Sequence, residues 1–284
     1  MNFTHASHAQ AAPAGSDTQR AAAARPGALR RLAQQRWFIA VRAFGVFTAL
    51  WYAAYLWNAN PLQLPSPVAV ASALWNLAAG GELLQHAGIS SARLLIALAI
   101  SIALAVPLGF WMGLSPTAEA YVDPVVELLR PISGIAWLPL ALFIFGIGDT
   151  LPVFIMVYVG FFPILLNTIS GVRQVDRKLI AAASTMGVGR AALLRYVIVP
   201  GALPIVMVGI RLALAASWAA IVAAELIGAP SGLGFAIEWY RELLMTSKVF
   251  AFIAVIGVVG YLCDVALRAL QRRLTPWSEG TELA

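Results

Sequence analysis

Charged residues are scarce in this sequence. Lys, Arg, Asp and Glu make up only 11% of its 284 residues, whereas hydrophobic residues make up 61%. A soluble domain carries roughly 25% charged residues, because its surface must face water. A chain this poor in charge cannot cover a water-facing surface in that way. The composition therefore excludes an ordinary soluble domain and indicates an integral membrane protein.

Cysteine and histidine are scarce as well. The one cysteine, Cys263, lies inside an apolar run, so no disulfide framework and no cysteine-ligated metal centre is expected. The three histidines, His5, His8 and His86, have no neighbouring ligands at the spacing of metal sites. The sequence therefore predicts neither a bound metal nor a cofactor.

Sequence motifs for nucleotide binding and catalysis are also missing. No Gly-x-x-x-x-Gly-Lys-Ser/Thr phosphate loop occurs, so the chain alone is not expected to hydrolyse ATP. The apolar blocks hold no His pair, no Asp pair and no nucleophile beside a base, which counts against a membrane-embedded enzyme. The formal net charge of +6 comes from basic residues between apolar blocks rather than from one patch, so nucleic-acid binding is not expected.

What the sequence does have is six apolar blocks. A transmembrane helix needs about 20 apolar residues, and the blocks lack the alternation typical of barrel strands. We therefore predict an all-α membrane protein with six transmembrane helices in a domain covering 37–275. The tail at 1–36, rich in Ala and Arg, is predicted to be disordered and cytoplasmic, with an organelle transit peptide as the alternative; 276–284 is a C-terminal tail. The predicted spans are about 39–57, 94–114, 131–148, 151–172, 200–228 and 249–267.

Lys and Arg are distributed unevenly between the blocks. The tail at 1–36, segment 173–199 and the C-terminal stretch with Arg268, Arg272 and Arg273 hold most of them, and with six spans all three lie on one side of the membrane. That side is predicted to be cytoplasmic. The opposite side holds only Arg93, Arg241 and Lys248. Residues 68–79 are too short to span and are predicted to be an interfacial helix, with a re-entrant segment as the alternative.

Segment 173–199 is a long connection with the pattern of a helical hairpin. Asp176 is predicted to be the N-cap of a first helix, and Gly187 is predicted to end it. A second helix is predicted to stop at Pro200. The residues alone leave two alternatives, a docking element for a partner or a surface hairpin without one.

This hairpin resembles the cytoplasmic coupling motif of ABC importer permeases. The family motif is Glu-Ala-Ala, three residues, Gly, nine residues, Ile, one residue and Leu-Pro, and the same spacing is present here. The matching residues are Ala181, Ala182, Ala183, Gly187, Val197, Val199 and Pro200. The departures are Ala181 in place of Glu, and Val in place of Ile and Leu.

Shorter motifs resemble one branch of that family, which imports nitrate, aliphatic sulfonates, taurine and bicarbonate. Among them are Leu64-Pro65-Ser66-Pro67, Ala136-Trp137-Leu138-Pro139-Leu140 and Gly232-Leu233-Gly234. The resemblance implies the type I importer permease fold, in the bacterial inner membrane and surrounded by membrane lipid. It also implies three protein partners: a second permease copy, a cytoplasmic ABC ATPase dimer and an external solute-binding protein. The expected cargo is a small oxyanion, and a stand-alone secondary transporter or channel is the alternative.

Two charged residues lie within one apolar block. Arg211 and Glu225 are fourteen residues apart, close to four helical turns, and so share a face. Because a charge in a span normally faces a cavity or a partner, we predict them on the translocation path, with a structural role for both as an equal alternative. Trp218 and Trp137 are further path candidates, and core packing is the alternative for Trp218. Arg130 is predicted to be a cytoplasmic anchor at the start of the third span, with a role near the inner gate as the alternative.

Overall fold

All regular elements in the described part of the chain are helical. The computed structural model describes residues 36–58 and 60–278. The chain divides into two compact units, residues 1–57 and 58–284. Helix α1 (Arg36–Asn58) coincides with the first predicted span. The predicted tails lie mostly outside the described residues.

The remaining helices follow in chain order. They are α2 (Pro67–Ala79), α3 (Glu82–Leu114), α4 (Pro116–Leu129), a 3₁₀ turn (Gly134–Trp137), α5 (Leu138–Phe145), α6 (Thr150–Arg173), α7 (Arg177–Thr185), α8 (Arg190–Leu193), a π-helical turn (Leu194–Ile198), α9 (Val199–Gly228), α10 (Leu233–Glu242), α11 (Thr246–Leu274) and a closing 3₁₀ turn (Pro276–Ser278). Helix α2 is the short helix predicted between the first two apolar blocks. The all-α fold is confirmed.

Serine followed by proline begins two of these helices. The Ser66 hydroxyl accepts a hydrogen bond from the Ala69 N–H at 3.1 Å at the start of α2. Ser115 does the same for Ala118, at 3.2 Å, at the start of α4. In both helices proline occupies the first turn, where its missing N–H costs nothing.

Four helices in the described part of the chain are long and apolar enough to cross a membrane. They are α3, α6, α11 and the continuous helix Arg190–Gly228. The broken pair Pro116–Leu129 and Gly134–Phe145 makes a fifth if it forms one span. The six-span prediction would require α1 as the sixth, and it stays a prediction.

The third predicted span, 131–148, is not one continuous helix. Helix α4 ends before Pro131, and the chain bends by 81° before continuing through the 3₁₀ turn and α5. Pro131 has no N–H to donate to the last turn of α4, so the helical hydrogen-bond pattern is interrupted at this point. The Tyr158 hydroxyl of α6 donates a hydrogen bond to the Leu129 carbonyl at 2.6 Å, which satisfies one carbonyl freed at the end of α4.

The core of the molecule is α6, which packs against α3 on one side and α9 on the other. Gly109 and Gly113 of α3 lie directly against Thr168 and Val172 of α6, where a Cβ atom would overlap their side chains. The two glycines therefore allow α3 and α6 to pack closely.

The second helix of the hairpin does not stop at Pro200, as the sequence had predicted. It passes through the π-helical turn and continues as α9, so that Arg190–Gly228 is one 39-residue helix. A π-helical turn immediately before a proline relieves the clash with the preceding turn and accommodates the missing N–H. The hairpin is therefore rigidly continuous with a transmembrane helix.

Candidate functional site

The hairpin between α6 and α9 has the predicted helix start. The Asp176 carboxylate accepts a hydrogen bond from the Lys178 N–H at 2.8 Å. Val175, just before it, is buried and packs against Gly201 at the base of α9. The predicted N-cap at Asp176 is confirmed, and the hairpin is fixed at its base.

The turn of the hairpin depends on Gly187, whose φ is +76°. The Gly187 N–H donates to the Ser184 carbonyl at 3.1 Å, and the Val188 N–H donates to the Ala183 carbonyl at 3.2 Å. This pair of bonds is the Schellman ending, which requires a left-handed residue and favours glycine there. The space around Gly187 is open, since no atom lies within 4 Å of an added Cβ.

Helix α7 has one broad apolar face, part of which is buried. Ile180 and Ala183 face the body of the protein, and Ala183 is buried. Next to them on this face Leu179 and Met186, the residue that follows α7, are exposed, Met186 by 76%, and Ala182 lies between the two. An exposed apolar stripe on a polar segment is typical of a surface that a partner covers.

The other residues of the coupling motif differ in exposure. Ala181 is exposed, Val197 packs against the core, and Val199 and Pro200 lie in the continuous helix with partial exposure. The motif residues therefore supply both the packing of the hairpin and part of its exposed surface.

Arg211, a candidate for the path, is paired with another helix. Its Nε–H donates to the Asp264 carboxylate of α11 at 2.8 Å, and Arg268 contacts the same carboxylate at 2.7 Å. Trp218 also faces α11, where its indole N–H donates to the Ile256 carbonyl at 3.2 Å and its ring lies against Gly260. Both residues join α9 to α11 in the structure.

A groove of about 740 Å³ lies on another face of α9. Its walls are α6, α9 and the broken segment after α4. The lining residues are Arg130, Ile132, Ser133, Gly134, Ile135, Tyr158, Val159, Phe162, Pro163, Leu166, Asn167, Leu212, Ala216, Ala219 and Ala220. Trp137 stands beside this groove, with its ring 5.6 Å from that of Tyr158, and its buried Nε1 has no hydrogen-bond partner among the described residues.

Glu225, the other charged candidate, is fully buried and is bound by Arg93 of α3. The Arg93 Nη1–H donates to the Glu225 carboxylate at 2.6 Å and to the Ser231 carbonyl at 2.7 Å. The Arg93 Nε–H donates to the Asp149 carboxylate at 3.0 Å, and Nη2–H donates to the Ser231 hydroxyl at 2.9 Å. One arginine thus ties α3 to the start of α6, the end of α9 and the following loop.

The first N–H groups of α10 close this cluster. The Gly232 N–H donates to His86 Nδ1 at 3.1 Å, and the Leu233 N–H donates to the Ser90 hydroxyl at 2.9 Å. The Gly234 N–H donates to the Glu225 carboxylate at 3.0 Å. A helix N-terminus has unpaired donors and a partial positive charge, so it stabilises the buried carboxylate.

Arg93 was not predicted as a member of this cluster, because in the sequence it lies just before the second apolar block and counts as a loop charge. Helix α3 begins at Glu82 rather than near residue 94, which places Arg93 inside the helix. The signal that could have found it was Glu225, since a carboxylate inside an apolar block requires a cationic partner.

Tyr240 of α10 has a perturbed pKa on the same side of the molecule. Burial, and then the hydrogen bond that its hydroxyl donates to Glu82 at 2.6 Å, raise the pKa of Tyr240 to about 12. Both causes favour the neutral phenol, because the phenolate would be desolvated and would lie beside a carboxylate.

Comparison with known proteins identifies the family. Residues 105–276 match the family described as the inner membrane component of binding-protein-dependent transport systems. This chain belongs to that family. It is 41% identical over 237 residues to the taurine transport system permease protein TauC of Escherichia coli (strain K12), covering 82% of this chain and 86% of TauC.

Further relatives and solved structures agree with this family. The putative aliphatic sulfonates transport permease protein SsuC of Escherichia coli (strain K12) is 38% identical, over 78% of this chain and 84% of SsuC. The bicarbonate transport system permease protein CmpB of Synechococcus elongatus is 34% identical, over 61% of this chain and 63% of CmpB. The resemblance to this branch of importer permeases is confirmed.

The fold is shared with a solved transporter. An inward-facing structure of the MetNI methionine ABC transporter matches with a TM-score of 0.60 at 19% identity, covering 68% of this chain and 96% of that chain. This likeness confirms the type I importer permease fold.

Proposed function

We propose that this permease forms the translocation path of a binding-protein-dependent importer and is driven by a separate cytoplasmic ABC ATPase. The hairpin docks on the ATPase, a second permease copy completes the path, and an external solute-binding protein delivers the cargo. Both termini are cytoplasmic, and membrane lipid covers the remaining apolar surface. Family membership supports this over a transporter that works alone.

The exposed apolar stripe on α7 carries the proposal. Leu179 and Met186 face solvent beside residues of the same apolar face that already pack against the core. Such a surface is costly to leave in water, and a protein partner that covers it removes that cost. Because the hairpin continues into α9, movement of a partner docked there reaches the transmembrane core directly.

The test is co-purification of the ATPase with Met186→Asp permease. We expect the ATPase to be lost, since a carboxylate cannot be buried unpaired in an apolar contact. Leu62→Asp is the matched control, because Leu62 is 62% exposed and lies on the segment before α2. Equal recovery of the ATPase with both variants would count against docking at the hairpin.

We propose that the groove between α6 and α9 is the half of the translocation path that this copy of the permease contributes. It is mostly apolar, it runs along two of the candidate spans, and it is open on one side. A second copy of the permease facing it would enclose a channel. Trp137 stands at its edge, whereas Arg211 and Trp218 face α11 and contribute packing between helices.

The cargo proposed is a small oxyanion of the sulfonate or taurine kind. The names of TauC and SsuC support this choice, and they are the relatives with 41% and 38% identity. The test is to identify the ligand that co-purifies with the partner binding protein. A bound sulfonate or taurine is expected, and a bound sugar or cationic peptide would exclude the proposed cargo.

A further inference from the structure

Arg130 lies within the depth of the transmembrane helices rather than at their end. Its neighbour Leu129 is bound by Tyr158, the ninth residue of α6. Along the axis of α6, Tyr158 is about 12 Å from the start of the helix and about 22 Å from its end at Arg173. Glu119 pairs with Arg173, so α4 starts at that end and rises to the middle of α6.

The break in the chain after Arg130 is itself informative. Irregular backbone at membrane depth is tolerated only where protein buries it or where it lines a water-filled cavity. Here the break lines the groove, and Gly134 lies so close to Val159 that a side chain would not fit. The segment carrying Arg130 is therefore fixed against the wall of the groove.

Among the residues that line the groove, Arg130 is the only charged one. Within residues 36–58 and 60–278 its guanidinium forms no ion pair. The arginines Arg93 and Arg211 are different, since carboxylates of neighbouring helices neutralise them. An arginine stays protonated in any such site, so the groove carries an uncompensated positive charge.

We propose that Arg130 is the residue that attracts the negative group of a small oxyanion into the groove. From the sequence, Arg211 was the arginine predicted on the translocation path, with a structural role as the equal alternative. Arg130 faces the groove and has no carboxylate partner there, whereas Arg211 faces α11 and is paired with Asp264. The inference rests on the proposed function, because it assigns the charge selectivity of the proposed path.

The test measures the electrostatic potential of the groove without requiring transport. A reporter cysteine is introduced as Ser133→Cys in a Cys263→Ser background, which removes the chain's single native cysteine. The full chain, assembled with its ATPase in detergent, is treated with an anionic sulfonatoethyl or a cationic trimethylammonioethyl methanethiosulfonate. The ratio of the two reaction rates is then compared with and without Arg130→Gln.

We expect Arg130→Gln to lower the anion-to-cation rate ratio about tenfold. The nearby positive charge attracts the anionic reagent and repels the cationic one in a water-filled groove, so its removal changes both rates. Arg130→Lys should keep the ratio, because it keeps the charge. The same ratio at Ser184→Cys on α7 should not respond to either change. If Arg130→Gln does not assemble, Arg130→Met provides the same comparison with the apolar stem retained.

An unchanged ratio at Ser133→Cys after loss of the arginine charge would overturn the assignment. An equal drop in the Gln and Lys variants would overturn it as well, because it would indicate altered shape rather than charge. Neither result depends on the ATPase being coupled, so failure here is separate from failure of the co-purification test.

Discussion

At the scale of single residues, the permease stabilises a buried charge by surrounding it with hydrogen-bond donors and an arginine. Glu225 is fully buried, and it is compensated by the Arg93 guanidinium, by the Ser90 hydroxyl at 2.8 Å and by the Gly234 N–H. A buried charge pair contributes little net stability when intact, but removal of one partner leaves the other uncompensated. The cluster should therefore be far more sensitive to single substitutions than the exposed ion pairs.

Glu225→Ala should lower the thermal stability of the purified permease strongly, by about 3 kcal/mol, because Arg93 then loses its buried partner. The control is Glu238→Ala, which breaks the exposed Glu238–Arg241 pair within α10. Thermal unfolding in detergent measures both. Similar midpoints for the two variants would show that the cluster does not stabilise the fold.

The stability that Tyr240 contributes to the folded state should depend on pH. Its pKa is raised to about 12, so the neutral phenol stabilises the folded state fully below pH 10. That contribution should be lost as pH rises from 10 to about 12, where the unfolded state has already released the proton. The difference in phenolate absorbance between wild type and Tyr240→Phe should have its midpoint near pH 12. A midpoint near 10 would contradict the burial of this phenol and its hydrogen bond to Glu82.

Charges inside apolar blocks could be recognised from the sequence, but their partners could not. Arg211 and Glu225 were visible because they interrupt one apolar block, whereas Asp264 and Arg93 lie 53 and 132 residues away along the chain. Ion pairs between residues so far apart in sequence depend on how the helices pack. Helical periodicity does not reveal which helices are neighbours. For the same reason Arg130 was assigned to the membrane boundary.

At the scale of elements, helix starts and turns were the most predictable features. Asp176 and Gly187 act locally through the backbone, so the sequence determines the start and the turn of the hairpin. The break in the third span and the continuation of α9 through Pro200 were not foreseen. In both cases tertiary contacts decide whether a proline ends a helix or is accommodated within it.

The loop before α10 provides a prediction at this scale. Gly232 has a φ of +110°, and an added Cβ would overlap the Glu225 carboxylate. Gly232→Ala should therefore destabilise the permease by about 2 kcal/mol or more, through both strain and displacement of the carboxylate. In Gly257→Ala, the control in α11, no atom lies within 4 Å of the new Cβ, and stability should be kept or slightly raised. Thermal unfolding of the two purified variants measures the difference. An equal loss of stability in both would argue against the close approach of Gly232 to the Glu225 carboxylate.

At the scale of the whole molecule, the proposed topology places both termini and the hairpin on the cytoplasmic side. Reporter fusions at Arg190 and at the C-terminus should read as cytoplasmic, and fusions at Gly148 and Pro230 as external, because Lys and Arg accumulate on the inner side. An external signal at Arg190 would contradict both the topology and ATPase docking at the hairpin.

The most direct test of the coupling role is Gly187→Trp, measured by ATPase co-purification beside ATP-dependent uptake. The turn lies outside the apolar core and the space around Gly187 is open, so insertion and expression should stay near normal. A bulky side chain at a φ of +76° should strain the turn and obstruct docking, so that ATPase binding and uptake are both lost. Gly187→Asn, which tolerates the left-handed conformation and is small, should retain most of both. Normal ATPase recovery and uptake in the Trp variant would contradict the account.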